Sequence, residues 1–191
     1  MIEIRRALTR QELDDVRTLI RGFLAWHRAH HVEDLDLIDR YFDADAFEDE
    51  LARLPGKYAP PKGSLLIAYD GATPAGCVAM HDVGDGVCEM KRMFVPDSAR
   101  GKGVGRALAE RIIADATAAG YRLMRLDTSK RQAEAMRLYE AAGFVRIAPY
   151  YELPDDVRDW LVFFERALSG FALVTGVTFS SRRGADMRGQ G

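Results

Sequence analysis

The chain has 191 residues, 48% of them hydrophobic, which is enough to bury a full core in one domain. Lys and Arg together number 27 against 29 Asp and Glu, a formal net charge of -2, so the global attraction that non-specific nucleic-acid binders depend on is missing and no nucleic-acid partner is expected. Cys77 and Cys88 lie in separate apolar segments without metal-ligand spacing, and read as buried thiols of a protein in the reducing cytoplasm. MIEIRRALTR lacks the apolar stretch of a signal peptide, and no run of about 18 apolar residues occurs, so a soluble, intracellular protein with no membrane contact is expected.

In chain order, Ile2 to Leu8 alternates like a strand. Thr9 and Glu12 form a candidate capping box ahead of Leu13, Val16, Ile20, Phe23 and His27, which recur at helical spacing. A second helix is predicted from about Ala44 to Leu54, ending at Pro55-Gly56, with YAPPKG as a loop. Residues 64–70, SLLIAYD, read as a buried strand, and another begins at Ala75 after the Gly71 to Pro74 turn. Asp85-Gly86 marks a hairpin turn into VCEMKRMFV, residues 87–95. After Pro96 comes RGKGVGRAL, which opens a helix carrying Val104, Leu108, Ile112, Ala116 and Ala119 on one stripe, stopped by Gly120. YRLMRLDT is the next strand, Ala133 to Ala142 a further helix closed by Gly143, Phe144 to Ile147 extended structure, and WLVFFERAL, residues 160–168, the last strand. From Ser180 the tail has no apolar periodicity and reads as a frayed end.

Gly101, Gly103 and Gly105, flanked by Arg100, Lys102 and Arg106, sit where the strand gives way to the helix. A helix start offers unpaired N–H groups and the positive end of the helix dipole, and bare backbone lets an anion approach closely, so the stretch is a candidate phosphate site. It lacks the lysine and hydroxyl of GxxxxGK[ST], and its GxGxG spacing is not GxGxxG. RGKGVGRAL instead resembles the R/Q-x-x-G-x-G/A signature of the GNAT superfamily of N-acetyltransferases. AEAMRLYEAAGF, residues 133–144, is similar to that family's A-x-x-L-Y-x-x-x-G-F, in the matching order along the chain. One departure is Gln132, three residues before the alanine of that motif (Ala135), where many members carry asparagine.

The resemblance implies a mixed α/β (α+β) fold, a central, mostly antiparallel sheet of six to seven strands flanked by about four helices. It spans one domain, residues 1–168, followed by a C-terminal extension, residues 169–191, partly disordered from about residue 180. It implies acetyl-CoA as cosubstrate, with Gly101, Gly103, Val104 and Gly105 at its pyrophosphate, Arg100, Lys102 and Arg106 at the pyrophosphate or the ribose phosphate unless they are solvated surface charges, Gln132 nearby, and the backbone of Met93, Phe94 and Val95 along its pantetheine arm. No metal is implied. Tyr139 matches the tyrosine that faces the cofactor sulfur in the family, and its hydroxyl can share a proton with a leaving thiolate. The competing reading is a tyrosine in the core stripe of its helix.

Glu89, in the fourth strand, resembles the general base of several members. It lies six residues before Val95, so the two side chains share a sheet face unless a bulge intervenes. A surface glutamate paired with Lys91 is the plain alternative, and Asp127, His81 and His27 are reserve bases. His27, His30, His31, Tyr41, Tyr150 and Tyr151 are candidates for the acceptor side. The acidic stretch 32–50 is a solvated helix face, or, if it lines the entrance, a feature favouring a cationic acceptor. The expected activity is acetyl transfer to a small-molecule amine, or a protein amine, by direct attack in a ternary complex. A non-catalytic acyl-CoA sensor and a binder of another phosphorylated ligand are the alternatives. An exposed last strand or FALVTGVTF, residues 171–179, is a candidate edge for pairing into a homodimer.

Overall fold

The computed structural model describes residues 1–168. The FALVTGVTF segment and the tail lie outside the described residues. The elements are β1 (Ile2–Arg6), α1 (Arg10–His30), α2 (Leu35–Tyr41), α3 (Ala44–Ala52), β2 (Ser64–Asp70), β3 (Thr73–Gly84), β4 (Val87–Phe94), α4 (Val104–Ala118), β5 (Leu123–Ser129), α5 (Ala133–Ala141), β6 (Val145–Ile147), α6 (Asp155–Trp160) and β7 (Leu161–Ala167).

Local chemistry accounts for the boundaries. The Thr9 hydroxyl accepts from the Glu12 N–H at 3.3 Å while the Glu12 carboxylate accepts from the Thr9 N–H at 2.9 Å, so the capping box starts α1 as predicted. Asp85 and Gly86 both have positive φ, as the tight turn between β3 and β4 requires. Gly120 and Gly143 end α4 and α5 in the left-handed conformation, each followed by an N–H that reaches back into the last turn: Tyr121 to the Ala116 carbonyl and Phe144 to the Tyr139 carbonyl. The Gly-Phe of LYEAAGF is therefore a helix stop that fixes Tyr139, with Phe144 packed edge-on against the tyrosine ring at 6.0 Å.

Two short helices differ from the sequence reading. The single helix expected in the acidic stretch has α2 ahead of it, and Trp160, assigned above to the last strand, closes α6 instead. With 7 and 6 residues, α2 and α6 are too short for a 3.6-residue period to show. The described residues thus hold six α-helices rather than about four.

The strands form one seven-stranded mixed sheet in the order β1-β2-β3-β4-β5-β7-β6, and only β4 and β5 run parallel. One face carries α1, α2, α3 and α6 over Ile67, Cys77, Ala79 and Phe163; the other carries α4 and α5 over Leu66, Val78, Met80, Met90, Met124 and Leu126. Cys77 and Cys88 are free and buried, and burial raises both thiols to about 12, which leaves them inert at neutral pH. No described helix is long and apolar enough to cross a membrane.

Candidate active site

The parallel pairing of β4 with β5 covers only Val87–Glu89 against Leu123–Arg125. Beyond it the strands part, β5 continuing against β7 and β4 against β3. Met90 to Phe94 therefore has no strand neighbour on its β5 side, and the splay opens the sheet at its centre. A bulge lies in the same segment: Cys77 faces Phe94 while Ala79 faces Lys91, and Arg92 sits at φ 57.

That bulge corrects the parity argument for Glu89 and Val95. The extra residue reverses the alternation, so Lys91 and Arg92 both point to the α1–α3 side while Met93 and Val95 pack on the α4–α5 side. Glu89 and Val95 consequently lie on opposite faces.

Three cavities meet along this split. The first, about 600 Å³, runs between the end of β4 and the starts of α4 and α5; it is lined by Met93, Phe94, Val95, Arg100, Gly101, Gly103, Val104, Gly105, Gln132 and Tyr139. Gly101 and Gly103 take φ 75 and 78, so side chains there would be strained, and a Cβ on Gly105 would press to 3.4 Å from Leu138. The Lys102 ammonium turns away to Asp70 at 2.9 Å, and Arg106 is an exposed partner of Glu110; neither lines the groove. Arg100 does, with its guanidinium 4.7 Å above the Trp26 ring. Trp26, Phe23 and Arg131 complete the wall and were not singled out from sequence. Phe23 and Trp26 come there only through the arrival of α1 at this edge, a tertiary effect without a local signal, whereas Arg131 stands in the turn between β5 and α5.

The second cavity, about 660 Å³, opens on the other side of the sheet, with Tyr41, Phe42, Phe47, Glu50, Glu89, Lys91, Arg92, Arg125, Tyr150 and Tyr151 among its walls. Between the two lies a small junction of about 60 Å³ that touches Tyr139 and Gln132 on one side, Tyr41, Lys91 and Arg92 on the other, and His27 and Asp127. Of the residues named from sequence, Tyr139 reaches the junction and Glu89 does not; Lys91, 3.3 Å from Glu89 and 2.7 Å from Asp127, links the two regions. His30 stacks on Trp26 and is exposed, and His31 lines none of the three cavities.

Electrostatics distinguish the two carboxylates. Burial alone would raise the Glu89 carboxyl, but the His81 hydrogen bond at 3.0 Å, the Lys91 ammonium and the Tyr150 hydroxyl at 2.7 Å outweigh it and hold the group at about 2. Asp127 accepts hydrogen bonds from the Tyr41 hydroxyl, from Lys91 at 2.7 Å and from the Tyr151 hydroxyl at 3.1 Å. Lys91, although burial opposes its charge, is raised above its ordinary value by Asp127 and Glu89. Burial, followed by the charge of Asp127, pushes the Tyr139 hydroxyl well above 10, so it stays protonated.

His27 is 1% exposed and stacks on Trp160 at 5.6 Å. Burial, then His31, lowers it to about 4. A histidine depressed below the free value of about 6.5 keeps its full stabilising contribution above that pH and loses it as pH falls toward 4, because the unfolded chain takes the proton first. Urea unfolding should therefore show a loss on the order of 2 kcal/mol between pH 7.5 and 5. His27→Phe should flatten that slope, and an unchanged slope would remove His27 as its source.

Two separate cavities that meet at a buried junction form the layout of an enzyme that brings a donor and an acceptor together. The acetyltransferase (GNAT) family pattern matches residues 23–144. An uncharacterised N-acetyltransferase of Schizosaccharomyces pombe is 39% identical over 146 residues, 75% of this chain and 83% of the relative. The IAA acetyltransferase of Azospirillum brasilense is 37% identical, over 62% of this chain and 79% of its own length. Among solved structures, the PaiA N-acetyltransferase of Thermoplasma acidophilum, in complex with coenzyme A, superposes with a TM-score of 0.65 at 16% identity, covering 87% of this chain and 99% of the other. The chain belongs to the GNAT family and is an acyltransferase.

Proposed function

We propose that the protein transfers the acetyl group of acetyl-CoA to a primary amine by direct attack at the junction. The observation that carries this reading is the continuity of the glycine-lined groove, the junction at Tyr139 and the tyrosine-rich cavity beyond Lys91. Acetyl-CoA supplies an activated acyl thioester. The N–H groups at the start of α4 and the conformations of Gly101 and Gly103 suit its pyrophosphate. Lys102 and Arg106 contribute through their backbone alone, whereas Arg100 also brings its guanidinium.

The end of β4 at Met93 and Phe94, open on its β5 side, and Val95 beyond it offer main-chain hydrogen bonds to the pantetheine arm and to the thioester carbonyl. As the amine bonds to the carbonyl carbon and the carbon–sulfur bond breaks, the Tyr139 hydroxyl donates a hydrogen bond to the departing sulfur and the amine proton passes to water. Glu89, held at about 2, remains ionised across the working range and acts as a fixed charge on the acceptor side. Glu89→Gln should then lower turnover while the alkaline-rising limb of the pH profile survives, because that limb belongs to the amine; its disappearance would make Glu89 the titrating base.

Calorimetric titration tests the donor half. Acetyl-CoA should bind one site at micromolar to sub-millimolar affinity and be displaced by coenzyme A but not by simple nucleotides. Absence of binding in that range overturns the reading.

A further inference from the structure

Two guanidinium groups on the acceptor side share an arrangement that the transfer step leaves unexplained. Arg92 donates from Nε to Glu50 at 2.7 Å, the one hydrogen bond its guanidinium makes among the described residues. Its plane lies against Phe42 and Phe47, at 5.6 and 5.3 Å from the ring centroids. Arg125 repeats the pattern, with Nε on Glu165 at 2.8 Å and the guanidinium 5.2 Å over Tyr150. In both, one edge is anchored by a carboxylate and one face by an aromatic ring, while the Nη groups have no hydrogen-bond acceptor among the described residues. Both residues line the 660 Å³ cavity, and Arg92 also lines the junction.

Arg92 is only 15% exposed, so its free edge turns toward the cavity rather than bulk solvent. Its charge is not cancelled locally, because Glu50 is shared between Arg92 and Lys57, the latter at 3.0 Å. The backbone is part of the device. A non-glycine residue at φ 57 in a strand is strained, and the bulge it creates turns Arg92 to the acceptor face, beside Lys91, instead of toward α4.

We propose that Arg92, assisted by Arg125, binds a carboxylate of the acceptor, so that the substrate class is amino acids with an apolar or aromatic side chain. A planar guanidinium edge with two N–H donors matches a carboxylate in bidentate fashion. Because Arg92 reaches the junction, a carboxylate held there places an α-amino group one carbon away, at the point where Tyr139, Lys91 and Tyr41 converge. The side chain then extends into the wider cavity among Phe47, Tyr150, Tyr151, Leu153 and Val157. The acidic stretch does not oppose this: Asp39, Glu48 and Asp49 are exposed and paired with Arg28, Arg21 and Arg53, leaving Asp43 and Glu50 as its acids at the cavity.

This inference rests on the acceptor reading of the cavity, and the experiment separates the two. Thiol release from acetyl-CoA is measured with the twenty standard amino acids and with the amines left by decarboxylation of the apolar and aromatic ones. At least one amino acid should exceed its decarboxylated amine in kcat/KM by about 100-fold or more, since a site built to hold a polar group rejects the analogue lacking it. Arg92→Gln should bring that ratio close to one, chiefly by raising KM for the amino acid; Arg92→Lys, which keeps a cation beside Glu50 if the glutamine variant is unstable, should give an intermediate ratio. Amines turned over as well as or better than their amino acids overturn this inference alone. No release with any compound overturns both it and the acetyl-transfer reading.

Discussion

Tyr139→Phe is expected to lower kcat by about 100-fold while leaving the acetyl-CoA dissociation constant within about twofold of wild type. Tyr139 lines both the junction and the donor groove, and its hydroxyl makes no hydrogen bond among the described residues that would give it a structural duty. Burial and Asp127 hold its pKa well above 10, whereas the sulfur leaves as a thiolate whose conjugate acid is near 8.5. Full proton transfer to sulfur is therefore uphill. What the hydroxyl supplies is a hydrogen bond that strengthens as charge develops, so its loss falls on kcat rather than on binding. The ring's packing against Phe144 and Phe164 survives in phenylalanine, and fold stability should barely change. Steady-state kinetics with calorimetry check both halves; an unchanged kcat would reduce Tyr139 to a core residue.

Asp127→Ala should produce the largest loss of stability among the site residues, about 3 kcal/mol in urea unfolding. Its carboxylate is 2% exposed and accepts hydrogen bonds from Lys91, Tyr41 and Tyr151 together. Removing it leaves the largely buried Lys91 ammonium with Glu89 alone, at 3.3 Å, and strands two tyrosine hydroxyls. Replacing Lys91 as well should recover part of the loss, because the second substitution removes the uncompensated charge. In a double-mutant cycle Asp127→Ala with Lys91→Met should therefore cost less than the sum of the single changes. A single-mutant cost below about 1 kcal/mol would mean the cluster is far more hydrated than its burial implies.

The contrast between these two residues shows what was legible in the sequence. Tyr139 stands in a motif whose remaining letters have local mechanical reasons: Gly143 must adopt positive φ, and Phe144 must close the helix and cover the tyrosine. The same holds for Thr9 with Glu12, for Asp85-Gly86 and for the glycines before α4, where backbone chemistry writes directly into residue type. The strand and helix order followed from periodicity wherever elements exceeded two turns.

What sequence could not deliver was long-range. The Arg92 bulge leaves no glycine or proline marker in VCEMKRMFV, yet it reverses the facing of every later residue in β4, which is why Glu89 and Val95 part company. The pairing of Asp127 with Tyr41, 86 positions away, and of Glu89 with Tyr150, 61 away, depends on α2 and the segment before α6 arriving at the same side of the sheet. Histidines that look isolated in the chain acquire opposite surroundings: His81 meets Glu89, while His27 is sealed against Trp160.

Acetyl transfer at the junction of the donor groove and the acceptor cavity can be followed as the release of free thiol from acetyl-CoA as a function of added amine. Release should require an amine, saturate with it, yield one acetylated product per thiol, and fall by about 100-fold in Tyr139→Phe. Thiol release that is independent of amine, or tight acetyl-CoA binding with no transfer to any primary amine or amino acid, would contradict it.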